Sequence, residues 1–110
     1  MPYTALHSET PPTREAVDQL RGATVLEFGT PWCGHCQRAQ PLVEQLLRDQ
    51  SQVEHIKVED GPGRPLGRSY RVKLWPTLVF LKDGQEVARV VRPETAQVLD
   101  DALAQLTGAS

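Results

Sequence analysis

Apolar positions along this chain change period several times, and each change marks an element. Ala16, Val17 and Leu20 fall at helical spacing within residues 13–21, and Gly22 stands where a left-handed residue would stop that helix. Thr24-Val25-Leu26-Glu27-Phe28 reads as a buried strand, broken by Gly29-Thr30-Pro31. From Gly34 to about Asp49, the residues Ala39, Val43, Leu46 and Leu47 return to helical spacing, with Pro41 expected to bend the helix. Val53 to Glu59 forms a second strand. Because a helix separates it from the first, a right-handed parallel crossover is expected.

The stretch Gly61-Pro62-Gly63-Arg64-Pro65 reads as a loop, followed by a short helical turn over Leu66 to Tyr70. Thr77 to Leu81 and Glu86 to Val91 flank Lys82-Asp83-Gly84-Gln85, and Asp-Gly is a strong signal for a tight antiparallel hairpin. Pro93 and Glu94 open a last helix striped by Val98, Leu99, Ala102, Leu103 and Leu106, with Gly108 near its end. The order β-α-β, loop, hairpin, helix predicts an α/β domain over residues 1–110, in which residues 1–12 are an N-terminal extension or short edge strand.

Composition narrows the function classes. The chain has 110 residues and a net charge of −2 without a long basic block, so neither nucleic acid nor an anionic membrane is expected as the main partner. No stretch approaches the roughly 20 apolar residues of a membrane span, and the start lacks the pattern of a secretory signal. A cytoplasmic location is the expectation; a signal peptide missing from the sequence would move it to the periplasm or outside the cell.

Both cysteines lie in Pro31-Trp32-Cys33-Gly34-His35-Cys36, where strand gives way to helix. Unpaired N–H groups and the positive end of the dipole at a helix start stabilise a thiolate, the attacking species in disulfide exchange. Cys36 shares a face with Ala39, Val43 and Leu47 and should point inward, leaving Cys33 at the exposed tip. A structural zinc usually takes four protein ligands, and His7, His35 and His55 add no ligand pattern, so no metal is expected. A disulfide across two residues is tight and usually reducible, which favours a redox-active pair over a staple.

Several other residues bear on that chemistry. Glu27 interrupts an apolar strand six residues before Cys33, and burial there would raise its pKa and suit it to take a proton from Cys36. His35 lies in the first helical turn, where a protonated imidazole would attract the Cys33 thiolate and raise the reduction potential. His7 and His55 receive no functional role. Arg64, Arg68, Arg71, Lys73 and Lys82 populate residues 61–82 without a carboxylate, which reads as a solvated surface able to steer an acidic partner.

Together, Glu27, Trp32, Cys33, Cys36, Pro41, Lys57, Pro76-Thr77 and Gly84 in this element order resemble the thioredoxin family. Gly34-His35 between the cysteines is similar to protein disulfide isomerases, and tunes the pair. Trp75, Arg92 and the Gly61-to-Pro65 loop depart from the usual thioredoxin pattern. The resemblance implies a thioredoxin-like fold, a mixed sheet of four to five strands with helices on both faces. It implies Cys33 as nucleophile, Cys36 as resolving thiol, Glu27 as buried carboxylate and Lys57 as its neighbour on the adjacent strand. It implies a cis bond before Pro76 and a substrate groove formed by Trp32, Trp75 and Pro76.

The expected activity is thiol-disulfide exchange with protein disulfides or dithiols, as a reductant and a monomer, without a bound cofactor. Electrons would come from a thioredoxin-reductase-like flavoprotein or a small thiol. Two alternatives remain at this point: a disulfide oxidase or isomerase in an oxidising compartment, and a binding or adaptor module.

Overall fold

The computed structural model describes residues 3–108. Along the chain run α1 (Arg14–Asp18), β1 (Ala23–Gly29), α2 (Gly34–Leu47), β2 (Val53–Glu59), α3 (Pro65–Ser69), β3 (Thr77–Lys82), β4 (Gln85–Val91) and α4 (Ala96–Thr107). Four strands make one mixed sheet in the order β2-β1-β3-β4. β1 and β2 run parallel, while β3 lies antiparallel to both β1 and β4. This is the thioredoxin-like α/β arrangement, with four strands.

Strand alternation decides what each face of the sheet carries. Val25, Val53, Leu78 and Phe80 turn toward α2 and α4, where Val43, Leu47, Leu99 and Leu106 close the larger core. Leu26, Phe28, Val58, Val79 and Leu81 turn the other way, against Val17 of α1 and Leu66 of α3. Val43, Leu47, Phe80 and Leu99 lose all solvent contact, each burial worth roughly 1.5–3 kcal/mol of transfer free energy. Among the described residues, no helix is long and apolar enough to cross a membrane.

Helix boundaries are tighter than the periodicity suggests, because capping chemistry sets them. α1 stops at Asp18, short of residue 21, and the left-handed Gly22 (φ 80°) instead turns the chain into β1. α2 ends at Leu47 rather than Asp49 and keeps Pro41 in its interior. The last helix begins at Ala96, not at Pro93 or Glu94, because Thr95 takes the N-cap and its hydroxyl accepts from the Val98 N–H. Residues 3–12 contain no strand, yet they lie along β2: the Ser8 N–H donates to the Lys57 carbonyl at 2.7 Å.

The β3–β4 hairpin turns through Asp83 (φ 49°) and Gly84 (φ 80°), the pair of positive φ angles that a two-residue primed turn demands. Asp83 also binds the turn before β1, accepting from the Gly22 N–H at 2.7 Å and donating its own N–H to the Gly22 carbonyl at 2.9 Å. A Cβ on Gly84 would collide with the Asp18 carbonyl. Gly84→Ala therefore combines a left-handed alanine with a backbone clash, and should lower unfolding free energy by about 2 kcal/mol or more in chemical denaturation.

Candidate active site

The dithiol sits where β1 delivers the chain to α2. Cys33 is the N-cap of α2 (φ −79°, ψ 119°), and its Sγ accepts from the Cys36 N–H at 3.2 Å. That places one sulfur on a backbone donor that the helix start leaves unpaired. Both cysteines are free. Cys33 is not at an exposed tip as expected: it is 8% exposed against 5% for Cys36, because capping turns its sulfur back over the first turn. Trp32, 71% exposed, takes the outer position instead.

The Cys36 thiol is pushed up to about 12, mainly by burial and then by its hydrogen bonding with Cys33; the charges of Cys33 and Glu27 add to this, while a Thr30 backbone donor opposes it. Its pocket is narrow, since a Cβ on Gly29 would lie 2.5 Å from the Cys36 Sγ. Gly29 is the residue that lets this sulfur sit against the end of β1.

Beneath Cys36 lies a connected polar group on the α2 side of the sheet. Glu27 is 2% exposed, and both carboxylate oxygens are occupied: Oε1 by His55 Nε2 at 2.8 Å and Oε2 by the Gln40 side-chain amide at 2.7 Å. Gln40 Nε2 also donates to the Cys36 carbonyl at 3.1 Å, tying the carboxylate to the dithiol turn. Lys57 pairs with Glu27 across the strands but does not bond it; its Nζ donates to Gln40 Oε1 at 3.0 Å and to the Ala5 carbonyl at 2.9 Å. On the far side, the Thr4 N–H donates to His55 Nδ1 at 2.8 Å. A ring nitrogen that accepts carries no hydrogen, so this bond assigns the His55 proton to Nε2, aimed at Glu27.

Two sequence expectations change here. Burial is the largest influence on Glu27 and pushes its pKa up, but His55, the Lys57 charge and Gln40 together outweigh it, and the net shift is downward. Glu27 is thus an ionised carboxylate, not an acid titrating near neutrality. His55, given no role from sequence, is its main partner. The signal was present in the alternation of β2, which puts His55 and Lys57 on the same inward face as Val53, and in the helical spacing that stacks Gln40 one turn after Cys36.

His35 also differs from expectation. It is fully exposed, with Nδ1 3.0 Å from an Arg38 guanidinium nitrogen. Its pKa is lowered by what desolvation it has and by the charges of Arg92 and Arg38, against a weaker opposite pull from Glu94. A protonated imidazole facing Cys33 is therefore disfavoured. Gly34, beside it, is exposed and lies near the Arg38 side chain. His7 is half-buried near Lys57 and makes no side-chain hydrogen bond among those described.

The residues expected to form a groove, Trp32, Trp75 and Pro76, lie together beside the dithiol. The Trp75–Pro76 bond is cis, and the Trp32 and Trp75 rings meet edge to face at 5.7 Å. Trp75 is anchored by its Nε1–H, which donates to Asp60 Oδ2 at 2.9 Å. Its carbonyl accepts from Arg92 Nε at 2.9 Å. Arg92 holds φ 51°, a conformation that favours glycine. Among the described residues, no group of three ligating side chains could hold a metal ion.

The Glu27 site has a testable pH signature. With its folded pKa depressed, Glu27 contributes stability that is present above the ordinary value of 4.5 and lost as pH falls through the folded value. His55→Val removes the main compensating donor and leaves burial in control, so the Glu27 pKa should rise above 4.5. The Glu27 contribution to stability should then reverse sign and fall as pH rises. Carboxyl titration by NMR, together with denaturation at several pH values, checks both.

Comparison with known proteins agrees with this geometry. Residues 7–105 match the Thioredoxin family profile. A reduced thioredoxin 2 from Pseudomonas aeruginosa has 56% sequence identity and superposes with a TM-score of 0.87, covering 98% of this chain and all of that one. Thioredoxin from Staphylococcus aureus is 32% identical over 87 residues, 74% of this chain and 84% of that protein. An H-type thioredoxin from Fagopyrum esculentum is 33% identical over 75 residues, 68% of this chain, and the match spans 65% of its own length. By profile, fold and the cysteine pair at the start of α2, the chain belongs to the thioredoxin family.

Proposed function

We propose that this chain is a thiol-disulfide oxidoreductase that reduces protein disulfides through Cys33 and Cys36. The carrying observation is Cys33 as the N-cap of α2, with its sulfur on the Cys36 N–H. The Cys33 thiolate attacks one sulfur of a substrate disulfide, whose S–S bond breaks and whose departing sulfur takes up a proton. Cys36 then loses its proton and attacks the Cys33 sulfur of the mixed disulfide. The second substrate thiol leaves, and Cys33–Cys36 becomes the disulfide. Two electrons have passed to the substrate, and no separate cofactor is needed to carry them.

The second step requires deprotonating a thiol held up near 12. Two of the causes, hydrogen bonding with Cys33 and the charge on Cys33, vanish once that sulfur is bonded to substrate. Mixed-disulfide formation itself thus lowers the barrier to Cys36 ionisation. The Cys36 proton leaves through water toward Glu27, which with its lowered pKa is an ionised, weak base that relays the proton rather than keeping it. Gln40 and His55 hold the carboxylate, and Lys57 holds Gln40. Trp32, Trp75 and Pro76 form the wall against which the substrate segment lies, and Gly34 and His35 adjust the potential.

Every group in this cycle comes from one chain, which supports action as a monomer. The Cys33–Cys36 disulfide returns to the dithiol at the expense of a flavoprotein reductase or a small thiol. The match of residues 7–105 to the thioredoxin family supports the reductant over the oxidant or isomerase that Gly34-His35 suggests, and the lowered His35 pKa does not favour an imidazolium stabilising the reduced state.

Redox titration of the pair should give a midpoint near the value of about −270 mV characteristic of thioredoxins; one near about −180 mV would replace the reductant with an isomerase. Cys33→Ser should abolish disulfide reduction, and Cys36→Ser should accumulate mixed disulfides detectable by mass spectrometry. Glu27→Gln should leave formation of the mixed disulfide intact but slow its resolution by about 100-fold, read in stopped-flow kinetics.

A further inference from the structure

The cations around the groove are the one strong feature that the redox chemistry does not use. Arg64, Arg68, Arg71 and Lys73 line a cavity of about 510 Å³ whose other walls include Asp60 and Trp75. All four cations are exposed. Arg64 pairs loosely with Glu59 at 3.3 Å, whereas Arg68, Arg71 and Lys73 have no carboxylate within 4.0 Å among the described residues. The one acid in the cavity, Asp60, is engaged by the Trp75 indole. Arg71 holds a left-handed φ of 57°, immediately after the α3 cap, its N–H donating to the Arg68 carbonyl at 3.0 Å.

Trp75 joins this cavity to the dithiol. One side of its ring system meets Trp32, and its Cβ lies within 4 Å of where a Gly29 Cβ would stand, beside the Cys36 sulfur. At the backbone of the same residue, Arg92 binds the Trp75 carbonyl, and Arg38 lies against His35. Glu94 is the acid that acts on His35 from that side. Cations therefore stand by both the side chain and the backbone of Trp75, in a molecule whose net charge is −2. Overall composition does not account for that concentration.

We propose that the protein selects disulfides whose cysteines are flanked by carboxylates, a preference that rests on the disulfide-exchange reading above. A peptide laid past Trp75 would place acidic residues on one side of its cysteine over Arg68, Arg71 and Lys73, and those on the other side toward Arg92. Positive charge spread over α3, the following loop and the end of β4 suits carboxylates spaced along a chain. A compact anion would need its donors converged on one point. Electrostatic complementarity of this kind acts chiefly on encounter and register, so it should appear in kcat/KM and depend on salt.

Three peptide disulfides that differ only in the residues beside each cysteine, glutamate, serine or lysine, test the assignment. At about 20 mM salt, kcat/KM should fall in the order glutamate, serine, lysine, with the first about 10-fold above the last, and the spread should collapse near 0.5 M salt. The double variant Arg68→Glu, Arg71→Glu should remove or invert the order. A wild-type spread within about twofold, or one untouched by salt, would overturn the proposal. So would equal inhibition of all three reactions by inorganic phosphate at constant ionic strength, the mark of a compact anion site. If the double variant does not fold, the salt series on the wild-type chain decides. Turnover of the serine-flanked peptide reports on the exchange chemistry alone: reduction of none of the three peptides would sink that reading and this one with it.

Discussion

A carboxylate can stay charged inside a protein only if donors replace the water it has lost, and Glu27 imposes that requirement on everything around the dithiol. His55 and Lys57 occupy inward positions of β2 that apolar residues would otherwise fill, Gln40 stands one turn after Cys36, and the stretch from Tyr3 to Ser8 lies against β2. Of these groups, Gln40 also restrains the turn that holds the cysteines. Gln40 makes the connection explicit, with one amide nitrogen shared between the carboxylate and the Cys36 carbonyl. The ionic arrangement and the geometry of the two thiols are therefore one structural problem with one solution.

The Cys36 thiol is set apart first by its burial and then by hydrogen bonding and field. As whole residues the two cysteines are almost equally buried. One is fixed by a backbone donor at the start of a helix; the other is wedged against Gly29 and faces a negative charge. A dithiol arranged in this way needs no moving lid to order its two steps, because bonding of the first sulfur alters the surroundings of the second.

Much of this was legible in the order of residues. Alternation in β1, β2 and β3, the Asp83-Gly84 turn and the amphipathic stripes of α2 and α4 follow from periods of 2 and 3.6 that sequence shows directly. The cysteine pair and Glu27 were legible because each breaks an apolar pattern. His55 was not, because a lone histidine within a strand looks the same whether its partner is water or a buried acid; only the register that sets β2 beside β1 reveals the partner. The sign of the Glu27 shift was lost with it. Arg92 was visible as a departure from the family pattern, but its bond to Trp75 depends on where β4 ends relative to the cis bond, which no local pattern encodes. The exposure of Cys33 was misjudged for a similar reason, since capping is a choice of rotamer.

The outermost stretch of chain has a disproportionate reach. Tyr3 stacks on the His55 ring at 5.4 Å and donates its hydroxyl to Gln40, Thr4 orients that ring, and Ala5 receives the Lys57 ammonium, although none of the three belongs to a helix or strand. Fraying of such a tail ordinarily leaves a protein's interior undisturbed. Here it would open a path for solvent to the acid under the sheet, so the reactivity of a sulfur at the heart of the molecule is governed in part by peripheral residues that never touch it.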